Sequence, residues 1–217
     1  MTSSDRSSLT LWVAAAWVSV LLLPWYWLTA FDGTVLNGSL SLVGLIASGK
    51  QSWLAILILP LLPLSLAVFS GITQRQRAFV LTLTAVLAMI LCLAQGFAIG
   101  LKGWDWTWLG GVFGGKPTQQ GLGFGGYLYL LAALMLFAQG LALFGLCRGD
   151  AFMTSAISLS VGLIVLFVFF PVSRVLIQSV LLPDGQWAFA AALDKIDDAS
   201  IWGLSCLSGG RQCGVVW

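Results

Sequence analysis

Five long apolar segments constrain this chain more than any other feature of its sequence. They occupy residues 9–30, 53–71, 78–101, 127–146 and 158–182, about half of the 217 residues. An α-helix rises about 1.5 Å per residue, so about 20 apolar residues cross the hydrocarbon core of a bilayer, which is about 30 Å thick. The sequence therefore predicts an all-α, polytopic membrane protein with about five transmembrane helices.

The composition supports a lipid environment. Hydrophobic residues make up 59% and charged residues 8% of the chain, whereas a soluble domain carries about 25% charged residues. Trp25, Tyr26 and Trp27 end the first segment and predict an interfacial aromatic belt on a retained helix. The net charge of +2 comes from scattered basic residues, so we expect the lipid bilayer as a partner and no nucleic acid.

The distribution of basic residues predicts the orientation. Arg75 and Arg77 lie in the short connection between the second and third segments, Arg148 follows the fourth, and Arg6 precedes the first. The positive-inside rule then places the N-terminus in the cytoplasm and the C-terminal tail outside. The opposite orientation places five basic residues inside instead of four, but these lie in longer loops and the tail, where charge influences orientation less: Lys50, Lys102, Lys116, Lys195 and Arg211.

Residues that could support catalysis are scarce. Residues 110–118 approach a phosphate-binding loop, but Pro117 stands where the loop needs a hydroxyl side chain. The chain has no His and no Glu, so we expect no enzyme, no catalytic or metal site and no cofactor. Asp194, Asp197 and Asp198 could share one helix face, which fits a solvated acidic surface better than a hard-cation site.

Two polar positions inside the segments predict helix packing. Gln95 precedes Gly96, and Gln139 precedes Gly140, each within an Ala-Gln-Gly triplet. Gly100 follows Gly96 at the spacing that allows helices to approach closely. A glutamine in lipid needs a hydrogen-bond partner, so we interpret these five residues as contacts between helices rather than as a substrate path.

The loops and cysteines leave two alternatives. Residues 103–126 are rich in glycine and contain Trp104, Trp106 and Trp108, which favours an interfacial anchor over a ligand-facing lid. Cys206 and Cys213 would face an oxidising outer compartment, where a disulfide and two free thiols are equally compatible with their spacing. The other two cysteines, Cys92 and Cys147, we interpret as packing residues.

The last 60 residues carry a family resemblance. The pattern comprises Phe169-Phe170-Pro171, Arg174, Ile177, Ser179, Asp184-Gly185 and Trp202. It resembles the first helix and following outer segment of bacterial ABC-transporter permeases, most closely the iron(III) type served by a periplasmic binding protein. The first four apolar segments, which a minimal permease of this kind lacks, predict an N-terminal four-helix membrane bundle at 1–150. The resemblance implies, at 151–217, a fifth helix with an outer tail that begins a permease domain.

The resemblance further implies a component of an ABC importer in the bacterial inner membrane, with an ATPase subunit and a binding protein as partners. However, such permeases dock on their ATPase through a Glu-Ala-Ala loop, and this chain has no Glu. We therefore expect the front part of a longer permease that is not competent for transport alone. The alternative is a non-transporting membrane scaffold or accessory subunit. In both cases Arg174 is predicted to be an interfacial anchor.

Overall fold

The computed structural model describes residues 3–27, 40–49, 51–100, 103–114, 121–180 and 188–189. It divides into two compact units, Met1–Val168 and Phe169–Trp217.

The described residues are mainly helical. The α-helices are α1 (Ser3–Leu21), α2 (Leu42–Ala47), α3 (Leu61–Phe69), α4 (Gln74–Ala98), α5 (Thr107–Phe113), α6 (Phe124–Leu143) and α7 (Ala151–Ile164), with α8 (Phe170–Ser179) in the second unit. Segments Ser52–Leu57 and Leu146–Gly149 are 3-10 helices, and Val165–Phe169 is a π-helix. Strands of two residues pair antiparallel: β1 (Tyr26–Trp27) with β4 (Gly121–Leu122), and β2 (Ile99–Gly100) with β3 (Gly103–Trp104).

Within the described residues, four helical stretches are long and apolar enough to cross a membrane. They are Ser52–Phe69, Gln74–Ala98, Phe124–Leu143 and Ala151–Ser179, and a shorter apolar helix covers Arg6–Leu21. Each overlaps one of the five apolar segments of the sequence, and the largest differences are at the end of the first segment and at the start of the last, which is Ala151 instead of residue 158. The predicted fold class, an all-α helical membrane protein that crosses the bilayer several times, is confirmed.

Contacts at the helix ends show that α1 and α6 are antiparallel. Ser8, early in α1, hydrogen-bonds Gln139 late in α6. At the opposite end, the amide of Gly125 donates to the carbonyl of Pro24, 2.9 Å away. Residues 8–24 therefore extend along nearly the whole length of α6.

The other helices of the first unit continue this alternation. The start of α4 lies against the end of α6, where Thr82 meets Gly140. The 3-10 helix that precedes α3 meets the start of α6, where the hydroxyl of Tyr129 donates to the carbonyl of Leu57. Successive helices of the first unit therefore run in opposite directions, and α7 continues the pattern because it begins beside the end of α6. We call the end that holds Ser8 and Gln139 the arginine end, since Arg77 also lies there.

The first helix is shorter than predicted. We expected helix over residues 9–30, but α1 ends at Leu21, because Pro24 disfavours helical backbone in the residue before it. The backbone amide of Trp25 donates a hydrogen bond to the carbonyl of Leu40, 3.2 Å away. The ring of Trp25 packs edge-on against that of Tyr129, with centroids 5.5 Å apart. Trp25 and Tyr26 are 0% and 3% exposed, so the predicted interfacial belt is wrong for these two residues: they belong to the protein core.

Local signals set the start of α4. The hydroxyl of Thr73 accepts a hydrogen bond from the Gln76 amide, and the Gln76 side chain accepts one from the Thr73 amide. This reciprocal capping box satisfies helix N-terminal donors. The helix consequently begins at Gln74, four residues before the predicted apolar segment, and its first turn carries Arg75 and Arg77.

Helix α7 is polar on its inner side and apolar on its outer side. Its buried residues are Thr154 and Ser158, while Phe152, Ile157 and Val161 are exposed. The hydroxyl of Thr154 donates to the carbonyl of Asp150 at 2.8 Å, so burial leaves it satisfied. This distribution suits a helix whose outer side faces an apolar medium.

Candidate functional site: polar contacts inside the helix bundle

Gln139 joins α6 to α1. Its side-chain Nε2 donates to the hydroxyl oxygen of Ser8, 2.9 Å away and 131 positions earlier in the chain. Gln139 is 7% exposed, so this bond satisfies part of a buried amide. Hydrogen bonds between transmembrane helices contribute about 0.6 kcal/mol on average and up to about 1.7 kcal/mol.

Gln95 occupies a comparable position on α4. Its Oε1 accepts a hydrogen bond from the hydroxyl of Tyr26, and both residues are buried. The spacing of Gly96 and Gly100 predicted that both lie on one helix face. Gly100 lies instead in β2, beyond the helix end at Ala98. It therefore does not share a helix face with Gly96, because the chain reverses through the hairpin that pairs Ile99 with Trp104.

Gly140 lies where α6 packs directly against α4. A Cβ atom built on Gly140 would lie 2.5 Å from the Thr82 hydroxyl oxygen, 3.0 Å from the Thr82 amide nitrogen and 3.3 Å from the Ala78 carbonyl oxygen. A side chain at this position would therefore require α4 to shift. The hydroxyl of Thr82 is itself buried and has no hydrogen-bond partner within the described part of the chain.

Arg77 closes the connection between α3 and α4. It is 8% exposed, and its Nε donates to the carbonyl of Ala67 at 2.8 Å while an Nη donates to that of Ser70 at 3.0 Å. Carbonyls at a helix C-terminus have no partner inside the helix, and a cation also complements the helix dipole there. Arg77 therefore stabilises the turn, whereas Arg75 is exposed.

Two aromatic side chains complete the buried contacts. The indole nitrogen of Trp17 donates to the hydroxyl of Ser65 at 2.9 Å, linking α1 to α3. The hydroxyl of Tyr129 donates to the carbonyl of Leu57 at 2.8 Å, and that carbonyl ends a 3-10 helix. These bonds, with those of Gln139 and Gln95, pair buried or half-buried polar side chains with partners from other elements of the first unit.

A cavity of about 470 Å³ opens at the arginine end, between α1, the start of α4, the end of α6 and the start of α7. Its polar lining comes from Ser8, Gln74, Gln139 and Ser155. The remaining lining is apolar or backbone: Leu9, Trp12, Met135, Ala142, Leu143, Gly149, Ala151 and Phe152.

A short amphipathic cap covers the opposite end. Trp104 packs edge-on against Trp53, with ring centroids 5.3 Å apart, and Trp106 stacks on Trp108 at 6.2 Å. Helix α5 exposes Trp108 and Val112. The segment that carries these tryptophans forms the two-residue strand β3, followed by helix α5.

The remaining predicted residues are placed as follows. Cys92 is buried in α4 and free, and Cys147 is half-buried in the turn after α6, where its φ is 51°. Arg174 lies half-buried in α8. Cys206, Cys213 and the three tail aspartates are outside the described residues. Among the residues that are described, no group of three His, Cys, Asp or Glu could hold a metal ion.

Sequence reasoning missed Ser8, Tyr26 and Arg77 as members of the buried contacts. Ser8 precedes the apolar segment, Tyr26 looked interfacial, and Arg77 looked like a cytoplasmic charge. One available signal was Thr73 with Gln76, a capping-box spacing that places Arg77 inside the first turn of a helix.

No protein-family model, curated protein or solved structure matches this chain.

Proposed function

We propose that this chain is a non-transporting membrane subunit, an accessory or scaffold component whose last apolar helix binds helices of a partner. The observation that supports this proposal is the difference in burial between that helix and the others. In the most apolar 18-residue window of Ala151–Ser179, 6% of the residues are buried within the chain. The corresponding share is 39% for Ser52–Phe69, 33% for Gln74–Ala98 and 50% for Phe124–Leu143.

The buried polar groups support the same proposal. A transport path needs polar groups that can exchange protein partners for a substrate or water. Here the amides of Gln95 and Gln139 hydrogen-bond Tyr26 and Ser8. These contacts hold helices together, which suits a rigid anchor.

A substitution on the outer side of α7 tests the proposal. Val161 is 53% exposed, and replacing it with Trp adds bulk where the partner helix would pack. Leu83→Trp, on the exposed side of α4, is the matched control. After purification in mild detergent, we expect a membrane protein that accompanies the wild type and Leu83→Trp but is lost from Val161→Trp. A partner set unchanged by Val161→Trp would refute the assignment of this surface.

The resemblance of residues 169–202 to ABC permeases supports a second candidate, a component of a binding-protein-dependent importer in the bacterial inner membrane. Its ATPase and binding protein would be the partners, and iron(III) the substrate. Deletion of the gene should then reduce uptake of radioactive iron. Unchanged uptake, together with the absence of an ATPase among copurified proteins, would leave the scaffold function as the surviving proposal.

The position of the arginines at one end of the bundle supports the proposal that the N-terminus is cytoplasmic. Arg75 and Arg77 lie in the first turn of α4, Arg148 in the turn after α6, and Arg6 near the start of α1, so all four share one end of the bundle. The lysines at 50, 102 and 116 are outside the described residues. Clustering of arginines at one end fits the positive-inside rule.

A membrane-impermeant thiol reagent tests this orientation. Cys147, half-buried in the turn between α6 and α7, should react only after the membrane is opened. Cys206 and Cys213 should react in intact cells, after mild reduction if they form a disulfide. Reaction of Cys147 in intact cells would show that the arginine end faces outward.

A further inference from the structure

The cavity at the arginine end has apolar walls and a few neutral polar groups. All of its lining residues belong to the first unit, and they come from α1, α4, α6, α7 and the turn after α6. Its volume of about 470 Å³ falls within the range of ligand pockets, about 300–1,000 Å³. Because α4 and α7 begin here and α6 ends here, the cavity lies at one end of the membrane-spanning helices.

One buried amide in the lining has an acceptor that the chain does not use. The Nε2 of Gln139 donates to Ser8, but no donor among the described residues bonds to its Oε1. The other buried glutamine amide, that of Gln95, has its Oε1 bonded by the hydroxyl of Tyr26. Gln139 is 7% exposed and lines the cavity. A buried acceptor without a partner is unfavourable, so a hydrogen-bond donor in the cavity would stabilise it.

Two further polar side chains of the lining are donors. Trp12 in α1 and Ser155 in α7 are half-buried, and within the described part of the chain neither the indole N–H nor the hydroxyl has a partner. Among the described residues that line the cavity, none is charged. An ion would therefore be desolvated here without a counter-charge, which is unfavourable. The lining favours a neutral molecule that both donates and accepts hydrogen bonds.

Apolar side chains make up much of the remaining lining. Leu9 is buried, Met135 and Leu143 are half-buried, and Phe152 is 80% exposed. The apolar lining therefore extends from the core of the bundle to its outer surface, where the helices are long and apolar enough to lie in a membrane. Such a surface suits a hydrocarbon chain.

We infer that this cavity binds a neutral lipid with a free hydroxyl group, of the diacylglycerol type, which is an inference independent of the proposed scaffold function. The hydroxyl of the lipid would donate to the Oε1 of Gln139. Its ester carbonyls, which only accept hydrogen bonds, would take those of Trp12 and Ser155. An acyl chain would lie along Met135 and Leu143.

Titration of the purified protein in neutral detergent with dioctanoylglycerol, followed by native mass spectrometry, tests the site. The matched ligand is its acetylated derivative, which has the same acyl chains and an ester in place of the hydroxyl. We expect dioctanoylglycerol to bind about tenfold more tightly, because a site that accepts a hydrogen bond from a hydroxyl discriminates against an analogue without one. Equal affinity for the two lipids would overturn the recognition of a hydroxyl.

Two variants separate the acceptor from the contact between helices. Gln139→Leu removes the Oε1 and should abolish the preference for dioctanoylglycerol. Ser8→Ala breaks the same hydrogen bond between α1 and α6 but keeps the acceptor, so the preference should persist. A preference that survives Gln139→Leu, or one that both variants abolish, would overturn the role of Gln139 as the acceptor.

A pair of serine variants on α7 locates the site. Ser155 lines the cavity, and Ser155→Trp should weaken dioctanoylglycerol binding by about tenfold because the ring fills the space. Ser160 is exposed on the same helix and outside the cavity, so Ser160→Trp should leave the affinity unchanged. Equal effects of the two variants would place the lipid elsewhere. Displacement of the lipid by millimolar free glycerol would show a site for small polyols and overturn the assignment to a lipid.

Discussion

Replacement of Gly140 by Ala tests whether close packing of α6 against α4 stabilises the bundle. The added methyl would lie 2.5 Å from the Thr82 hydroxyl oxygen and 3.0 Å from the Thr82 amide nitrogen. The hydroxyl can rotate away, but the amide belongs to the backbone of α4. The two helices must therefore separate by several tenths of an ångström, and overpacking of this kind costs about 1–3 kcal/mol.

Helix propensity offsets part of this cost. Alanine is favoured over glycine in a helix by about 1 kcal/mol, so the net destabilisation from Gly140→Ala should be about 0–2 kcal/mol. Gly111→Ala is the matched control, because Gly111 is also helical and its added methyl would meet nothing within 4 Å. That variant should show no destabilisation.

Unfolding by SDS in mixed micelles, followed by circular dichroism, measures these differences. A double-mutant cycle with Thr82→Ala sharpens the test, since removal of the hydroxyl relieves the shortest contact. Contacting residues couple by about 0.5–3 kcal/mol, so Thr82→Ala should recover part of the loss in the Gly140→Ala background. If Gly140→Ala unfolds at the same SDS fraction as Gly111→Ala, the helices do not approach as closely as described.

Three further substitutions follow from the same structure and use the same unfolding measurement. Arg77→Gln loses hydrogen bonds from a charged group to two carbonyls, each bond contributing about 1.5–3 kcal/mol, whereas Arg75→Gln should change stability little; equal effects would contradict the helix-end contact. Gln139→Leu should lower the free energy of unfolding by about 0.6–1.7 kcal/mol, because it breaks the hydrogen bond to Ser8 in α1. A variant more stable than the wild type would contradict a stabilising role for this bond. Gly125→Ala should cost about 1–3 kcal/mol, because its methyl would lie 2.9–3.0 Å from three backbone carbonyls, while Gly71→Ala, with open space around it, should be neutral.

Some of the local structure was predictable because its cause is local. The start of α4 depends on Thr73 and Gln76, which are three positions apart. The end of α1 depends on Pro24, which disfavours helix in the residue that precedes it. The Pro24 effect was nevertheless not anticipated, because Trp25 and its neighbours suggested that an apolar helix continued to the interface.

The sequence by itself determined that this is a helical membrane protein with about five apolar segments, because the length of an apolar run alone decides whether a helix can cross a bilayer. It also indicated that Gln95, Gln139 and Gly140 lie between helices, since an amide in lipid needs a partner. Only the tertiary structure decided which partners they have, because Ser8 and Gln139 meet across 131 positions of chain. It likewise placed Arg77 on the end of α3 and Trp25 in the core, since burial depends on which helices pack together and not on neighbours in sequence.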